Sequence, residues 1–238
     1  LCFMLLSACQ TTQQNSRIIA SAFNFTTGLQ QKIMDRYAPK NIQVQHDIVY
    51  ATQPNLSFDL YQDSQLQDLA ARPTIVWIHG GGWIAGSKAH ARGYFKLLAA
   101  QGFNVIAVQY QFAPHATYPT QLQQIDQALN YITQHAKKYQ LNPQQLYLAG
   151  DSAGANLASH YAALLSNPAF AQQSNLQLTI QNKQLKGLIL HCGIYDLKAF
   201  VETAPDEMNI VEWGVYNLVQ AYTGDRKQDS EFLKNISP

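Results

Sequence analysis

The chain is 238 residues long and 47% hydrophobic, enough to bury a core and still form a single domain. Its 16 basic and 15 acidic residues leave a formal net charge of +1 and form no basic run or stripe, which excludes nucleic acid as an expected partner. Abundant aromatic residues (13 Tyr, 10 Phe and 3 Trp) suit a packed core and an apolar pocket, not disorder.

In chain order, the first element is an apolar stretch from Leu1 to Cys9, far shorter than the ~20 residues a membrane span needs. An apolar core running into small residues reads as the tail of a secretory signal. Leu6-Ser7-Ala8-Cys9 further resembles a bacterial lipobox, in which the cysteine is acylated and becomes the mature N-terminus. Residues 1–9 are therefore expected to be a signal remnant, 10–30 a polar tether, and 31–238 the folded domain. This reading places the protein in the periplasm or cell envelope, attached to a membrane through lipid on Cys9. With Cys2 and Cys9 in that leader, Cys192 is the domain's single thiol. It has no Cys or His at metal spacing and is expected as a small core residue.

Residues 42–61 alternate around a Pro54-Asn55 turn signal and predict two antiparallel strands. Four apolar runs follow, at 74–78, 103–110, 145–149 and 186–191. Being unbroken rather than alternating, they predict strands buried on both faces of a parallel sheet. Helical patterns separate them at 90–101, 120–138 and 153–166; Leu122, Ile125, Leu129 and Ile132 fall on one helical face. This alternation predicts an α/β layered fold. Beyond residue 197 the pattern changes to a cap-like helical stretch over 198–236, with a helix from Val211 to Tyr222 and Gly224 near its C-terminal cap.

Two motifs carry chemistry. Gly150-Asp151-Ser152-Ala153-Gly154 follows a strand and opens a helix. A serine nucleophile on so sharp a turn needs minimal side chains two residues to either side, which Gly150 and Gly154 supply. The turn lifts the Ser152 hydroxyl to a helix N-terminus, where backbone N–H groups meet a developing oxyanion. His79-Gly80-Gly81-Gly82-Trp83 also follows a strand directly, and its glycines let backbone amides approach a substrate carbonyl. The amides of Gly80, Gly81 and Ala153 are the expected oxyanion hole. His79 is expected beneath that loop, hydrogen-bonded to it. Asp151, Gly82 and Trp83 are supporting residues, and Trp83 suggests an apolar acyl site open to short or aryl groups.

With these motifs in order, the span from about Asp59 to Asp196 resembles the hormone-sensitive-lipase-type and related bacterial esterases of the α/β-hydrolase superfamily. The resemblance rests on Asp59-Leu60-Tyr61, the 79–83 motif, Gly86-Ser87-Lys88, residues 110–114 with Tyr118-Pro119, residues 150–158 and residues 193–197. It implies an α/β-hydrolase fold, a mostly parallel sheet with helices on both faces. It also implies a serine carboxylesterase acting on small esters through an acyl-enzyme, with no metal or organic cofactor. Aryl formamides and feruloyl-type esters remain open as substrates, as does a non-catalytic binding protein on the same fold. Gln111, His115, Gln123 and Gln124 depart from the family pattern, and neutral hydrogen bonds are expected to replace an ion pair there.

His90, His115, His135 and His160 are expected to be solvated or structural, and His160 to point away from Ser152. His191 reads as a core-edge histidine. Asp196 follows a strand in a place where a few α/β-hydrolases keep their acid. The family order Ser, Asp, His places acid and base on two further strands. They are expected beyond residue 238, so that the 238-residue fragment is incomplete at its C-terminus and inactive.

Overall fold

The computed structural model describes residues 12–174, 176–202, 207–226 and 229–238. Six strands, β1 (Gln43–Val49), β2 (Ser57–Gln62), β3 (Thr74–Ile78), β4 (Asn104–Val108), β5 (Leu146–Asp151) and β6 (Leu185–His191), form one sheet in the order β1-β2-β4-β3-β5-β6. The first two strands pair antiparallel with each other, and β2 pairs antiparallel with β4. From β4 onward every pairing is parallel. The helices are α1 (Thr12–Tyr37), α2 (Arg92–Ala100), α3 (Thr120–Gln134), α4 (Ala153–Ser166), α5 (Pro168–Ser174), α6 (Ile210–Thr223) and α7 (Ser230–Asn235).

The unbroken apolar runs become the central strands because both faces of the sheet are covered. In β3, Val76 and Ile78 enter one core with Leu122, Ile125, Leu129 and Ile132 of α3 and Leu157 and Tyr161 of α4. Ile75 and Trp77 enter a second core with Phe95 and Ala99 of α2. Each fully buried aliphatic side chain stabilises by about 1.5–3 kcal/mol relative to exposure. The α/β-hydrolase arrangement expected from the sequence is thus present.

Two expectations fail. From Thr12 onward the tether of residues 10–30 is instead part of α1, a helix of 26 residues. Ile19, Ala20 and Phe23 pack against the main core. Polar residues along this helix, Asn15 of the expected tether among them, are anchors. Asn15 donates to Asn217 Oδ1 at 2.7 Å, Gln31 to the Ala89 carbonyl at 2.7 Å, and Asp35 pairs with Arg92. Cys192 is not a core residue but exposed, because it follows β6 at the margin of the sheet with φ 49°. The signal remnant 1–9, with Cys2 and Cys9, lies outside the described residues.

Candidate active site

β3 and β5 run side by side with Ile78 opposite Gly150, so the loop leaving β3 and the turn leaving β5 emerge together. Ser152 occupies that turn at φ 51° and ψ −119°, a left-handed conformation that a residue with a Cβ adopts only under constraint. The constraint is crowding. A Cβ on Gly150 would lie 2.5 Å from the Gly154 carbonyl carbon, and one on Gly154 would overlap the Ile78 carbonyl oxygen. Ser152 is pinned further by its own N–H, which donates to the His191 carbonyl of β6 at 2.8 Å. Its hydroxyl therefore stands at the N-terminus of α4, and Ala153, the first helical residue, has an N–H with no intrahelical acceptor.

The second wall is the loop 79–83. Gly81 takes φ 122°, and a Cβ there would strike the Ala85 carbonyl. The loop closes there in one turn, Ile84 and Ala85 donating to the Gly81 carbonyl at 3.1 and 3.0 Å. Among the described residues the amides of Gly80 and Gly81 donate to no protein acceptor. His79 sits beneath, as expected, with Nδ1 donating to the Gly80 carbonyl at 2.8 Å. Complete burial, reinforced by the charge of nearby His90, pushes the His79 imidazole down to about 3 and keeps it neutral. Tyr110 stacks on its ring at 4.4 Å and donates to the His79 carbonyl at 2.8 Å.

Asp151 joins the two walls. Its Oδ1 accepts from Trp77 Nε1 at 3.0 Å and lies 3.2 Å from His90 Nε2, while its Oδ2 lies against Gly80, where a Cβ would overlap it. His90 is tied in turn by Nδ1 to the Ser87 carbonyl at 2.8 Å. Burial disfavours charge on both groups. Their mutual hydrogen bond and attraction outweigh it, so Asp151 is held below and His90 above its ordinary range. His90 is thus part of the site's support rather than a solvated side chain.

Above the loop lies α6. Asn209 Oδ1 caps it through the amides of Val211 and Glu212 at 2.9 and 3.0 Å, and Glu212 returns a bond to the Asn209 amide. Gly224 at φ 62° ends it. Leu218 approaches Gly82 so closely that a Cβ there would lie 2.7 Å from it, and Tyr222 stacks on Trp83 at 4.5 Å. Trp83 is consequently fully buried. It clamps the cap helix onto the loop and does not line an open acyl site. Beside the loop, Gly86, Ser87, Lys88 and Gln109 to Phe112 line a cleft of about 570 Å³.

A family model, BD-FAE, matches residues 58–238, three quarters of the chain. The chain belongs to the BD-FAE family. Its members are α/β hydrolases, in keeping with the solved structures that this BD-FAE chain resembles. Esterase B of Lactobacillus rhamnosis superposes with a TM-score of 0.77 at 21% identity over 93% of this chain and 69% of that one. A hyperthermophilic esterase of Pyrobaculum calidifontis gives 0.71 at 18% identity over 99% and 71%. In sequence, the acetyl esterase of Salmonella typhi is 38% identical over 89 residues, 37% of this chain. That match spans only 28% of the Salmonella protein's length.

In the BD-FAE chain the residues singled out in the sequence come together: Ser152, Ala153, Gly80, Gly81 and their supports. The departures at Gln111 and Gln124 also resolve as expected, the Gln124 amide nitrogen donating to Gln111 Oε1 at 2.7 Å and its oxygen accepting from the Gln111 amide at 2.8 Å. His160 is buried against Tyr118 and Phe170, and burial pushes it down to about 4. The His191 ring is exposed at the sheet margin, edge-on to Trp77 at 5.3 Å. Asp196 caps a local turn through the Ala199 amide at 3.1 Å. Among the described residues no histidine or carboxylate is hydrogen-bonded to Ser152 Oγ, and no group of three or more His, Cys, Asp or Glu is gathered for a metal.

Proposed function

We propose that the chain is the nucleophile-bearing part of a serine carboxylesterase acting on small esters. The observation that carries this reading is Ser152 held at φ 51° between β5 and α4, facing a loop whose Gly80 and Gly81 amides have no acceptor among the described residues. In this mechanism Ser152 Oγ attacks the ester carbonyl carbon as its proton passes to a histidine base. The amides of Gly80, Gly81 and Ala153 hold the resulting oxyanion, each worth about 3 kcal/mol of barrier. Collapse expels the alcohol, which takes the proton back from the histidine, and water then hydrolyses the acyl-enzyme. The family order places that histidine after the acid in the chain.

Similarity to acetyl esterases supports a short acyl group, as does a loop sealed from above by Leu218 and Tyr222. A series of p-nitrophenyl esters of increasing acyl length, assayed on the full-length protein, tests this. The fastest turnover is expected at acetate to butyrate. An optimum at long chains contradicts the reading, and turnover confined to aryl formamides or feruloyl esters replaces it. The same proposal places the protein in the cell envelope through lipid on Cys9, supported by the Leu6-Ser7-Ala8-Cys9 sequence. Mass spectrometry of the mature wild-type protein should find it beginning at an acylated Cys9; mature wild-type protein retaining residues 1–8 would contradict the anchor.

A further inference from the structure

Helix α1 is apolar on two faces. Inward, Ile19, Ala20 and Phe23 pack against the core, and polar anchors flank them: Asn15 bonds Asn217, Asn24 accepts from the Gly86 amide at 3.1 Å, Gln31 bonds the Ala89 carbonyl, and Asp35 pairs with Arg92. Its outer face carries Ile18, Phe25, Leu29, Ile33 and Tyr37, exposed by between 50% (Ile33) and 78% (Phe25). Spacings of seven, four, four and four residues put these five in one stripe along a helix about 39 Å long. A solvated helix gains nothing from such a stripe; an apolar occupant removes it from water.

The occupant is marked by charge and by chain length. Arg17, Lys32 and Arg36 are exposed on the same helix, whose single carboxylate, Asp35, is turned inward onto Arg92. The outer surface is therefore apolar with a basic margin, the composition of a helix lying in an anionic bilayer interface. Among the described residues no helix is long and apolar enough to cross a membrane. Cys9 precedes the first helical residue, Thr12, by three residues, a span of at most about 11 Å. Lipid on Cys9 leaves no slack to hold α1 away from the headgroups.

We propose that the outer face of α1 lies in the headgroup region of an anionic lipid bilayer, as a second membrane contact beside the acyl anchor. An acyl anchor holds the chain to the membrane at one point; the α1 face adds buried apolar area and fixes the orientation of the domain on the surface. Because Asn24 and Gln31 bind the segment 86–89 that follows the oxyanion loop, this contact sets that loop about one helix diameter, ~10 Å, from the lipid. The proposal draws on the Cys9 reading for its geometry, yet it is tested without the acyl chain.

Full-length Cys9→Ser protein is sedimented with vesicles of phosphatidylethanolamine and phosphatidylglycerol, then with neutral phosphatidylcholine vesicles. The same background carrying Phe25→Ser and Leu29→Ser is compared with one carrying Phe25→Leu, all checked for unchanged thermal unfolding. Binding to the anionic vesicles should fall by on the order of tenfold or more in the double serine variant and persist in the leucine variant. Equal binding by the double serine variant overturns the proposal. So does a Phe25- and Leu29-dependent dimer in sedimentation velocity, which would make a second copy the occupant. Protection of the outer face of α1 from hydrogen exchange by the rest of the full-length chain, without vesicles, overturns it as well. A mature wild-type protein without acyl chains on Cys9 would count against the anchor alone.

Discussion

Replacing Ser152 by glycine should make the protein more stable while removing its nucleophile. The native φ of 51° with ψ of −119° is open to glycine and costs a residue with a Cβ about 1–3 kcal/mol. Against that relief stands the extra freedom glycine gains in the unfolded chain, about 0.5–1 kcal/mol. The alanine variant retains the strain and also lacks the hydroxyl, so it is the proper reference. The difference predicts Ser152→Gly to be more stable than Ser152→Ala by about 1 kcal/mol, or about 2–4 °C in Tm for a domain of this size. Differential scanning calorimetry on the two purified variants measures it. A glycine variant equal to or less stable than the alanine variant would refute the claim that crowding around Gly150 and Gly154 holds the turn in a strained state.

Gly154→Ala should be among the most damaging single-methyl additions in the chain. The new Cβ overlaps the Ile78 carbonyl and lies 2.7 Å from that of His79, both backbone atoms of the β3 exit. A loss of about 3 kcal/mol in urea unfolding is expected, and a change under about 1 kcal/mol would contradict the packing described. Lys88→Met removes the cation facing the buried Asp59 carboxylate, which keeps the Asp47 amide and His46. A cost of about 3 kcal/mol is expected, with no loss as the contrary result. The His90–Asp151 pair predicts a pH dependence. His90 lies above its ordinary 6.5, so its contribution is complete below pH 6.5 and is lost as pH rises through the raised value. Asp151 lies below its ordinary 3.8, so its contribution is present above pH 3.8 and is lost as pH falls through the lowered value. His90→Gln should therefore flatten the decline of Tm above pH 6.5, and an unchanged slope would mean the pair contributes nothing.

Much of this architecture is legible in the sequence because its signals are local. The Thr74–Ile78 run becomes β3 without shift, and the 153–166 pattern becomes α4, because burial on both faces leaves no room for alternation. The turn at Ser152 is legible because three backbones crowd it and only glycines fit around it. What escapes is what the register of distant strands decides. His90 meets Asp151 only because β3 pairs with β5, and nothing adjacent to His90 in the chain signals a carboxylate. The tryptophan of the loop reads as a pocket wall until α6 lays Tyr222 across it. Helix α1 is missed for a related reason: its inward anchors are polar, so composition alone reads a linker where tertiary hydrogen bonds hold a helix.

The central claim is that Ser152 is the nucleophile, and kcat/KM of the full-length protein for p-nitrophenyl acetate, with Ser152 intact and as Ser152→Ala, tests it most directly. Alanine fits the turn, so the variant should unfold with the parent's cooperativity. Its kcat/KM should fall by about 10⁴-fold or more, to what the oxyanion hole alone supplies. A folded Ser152→Ala protein that turns over the ester within about tenfold of the parent would contradict the account.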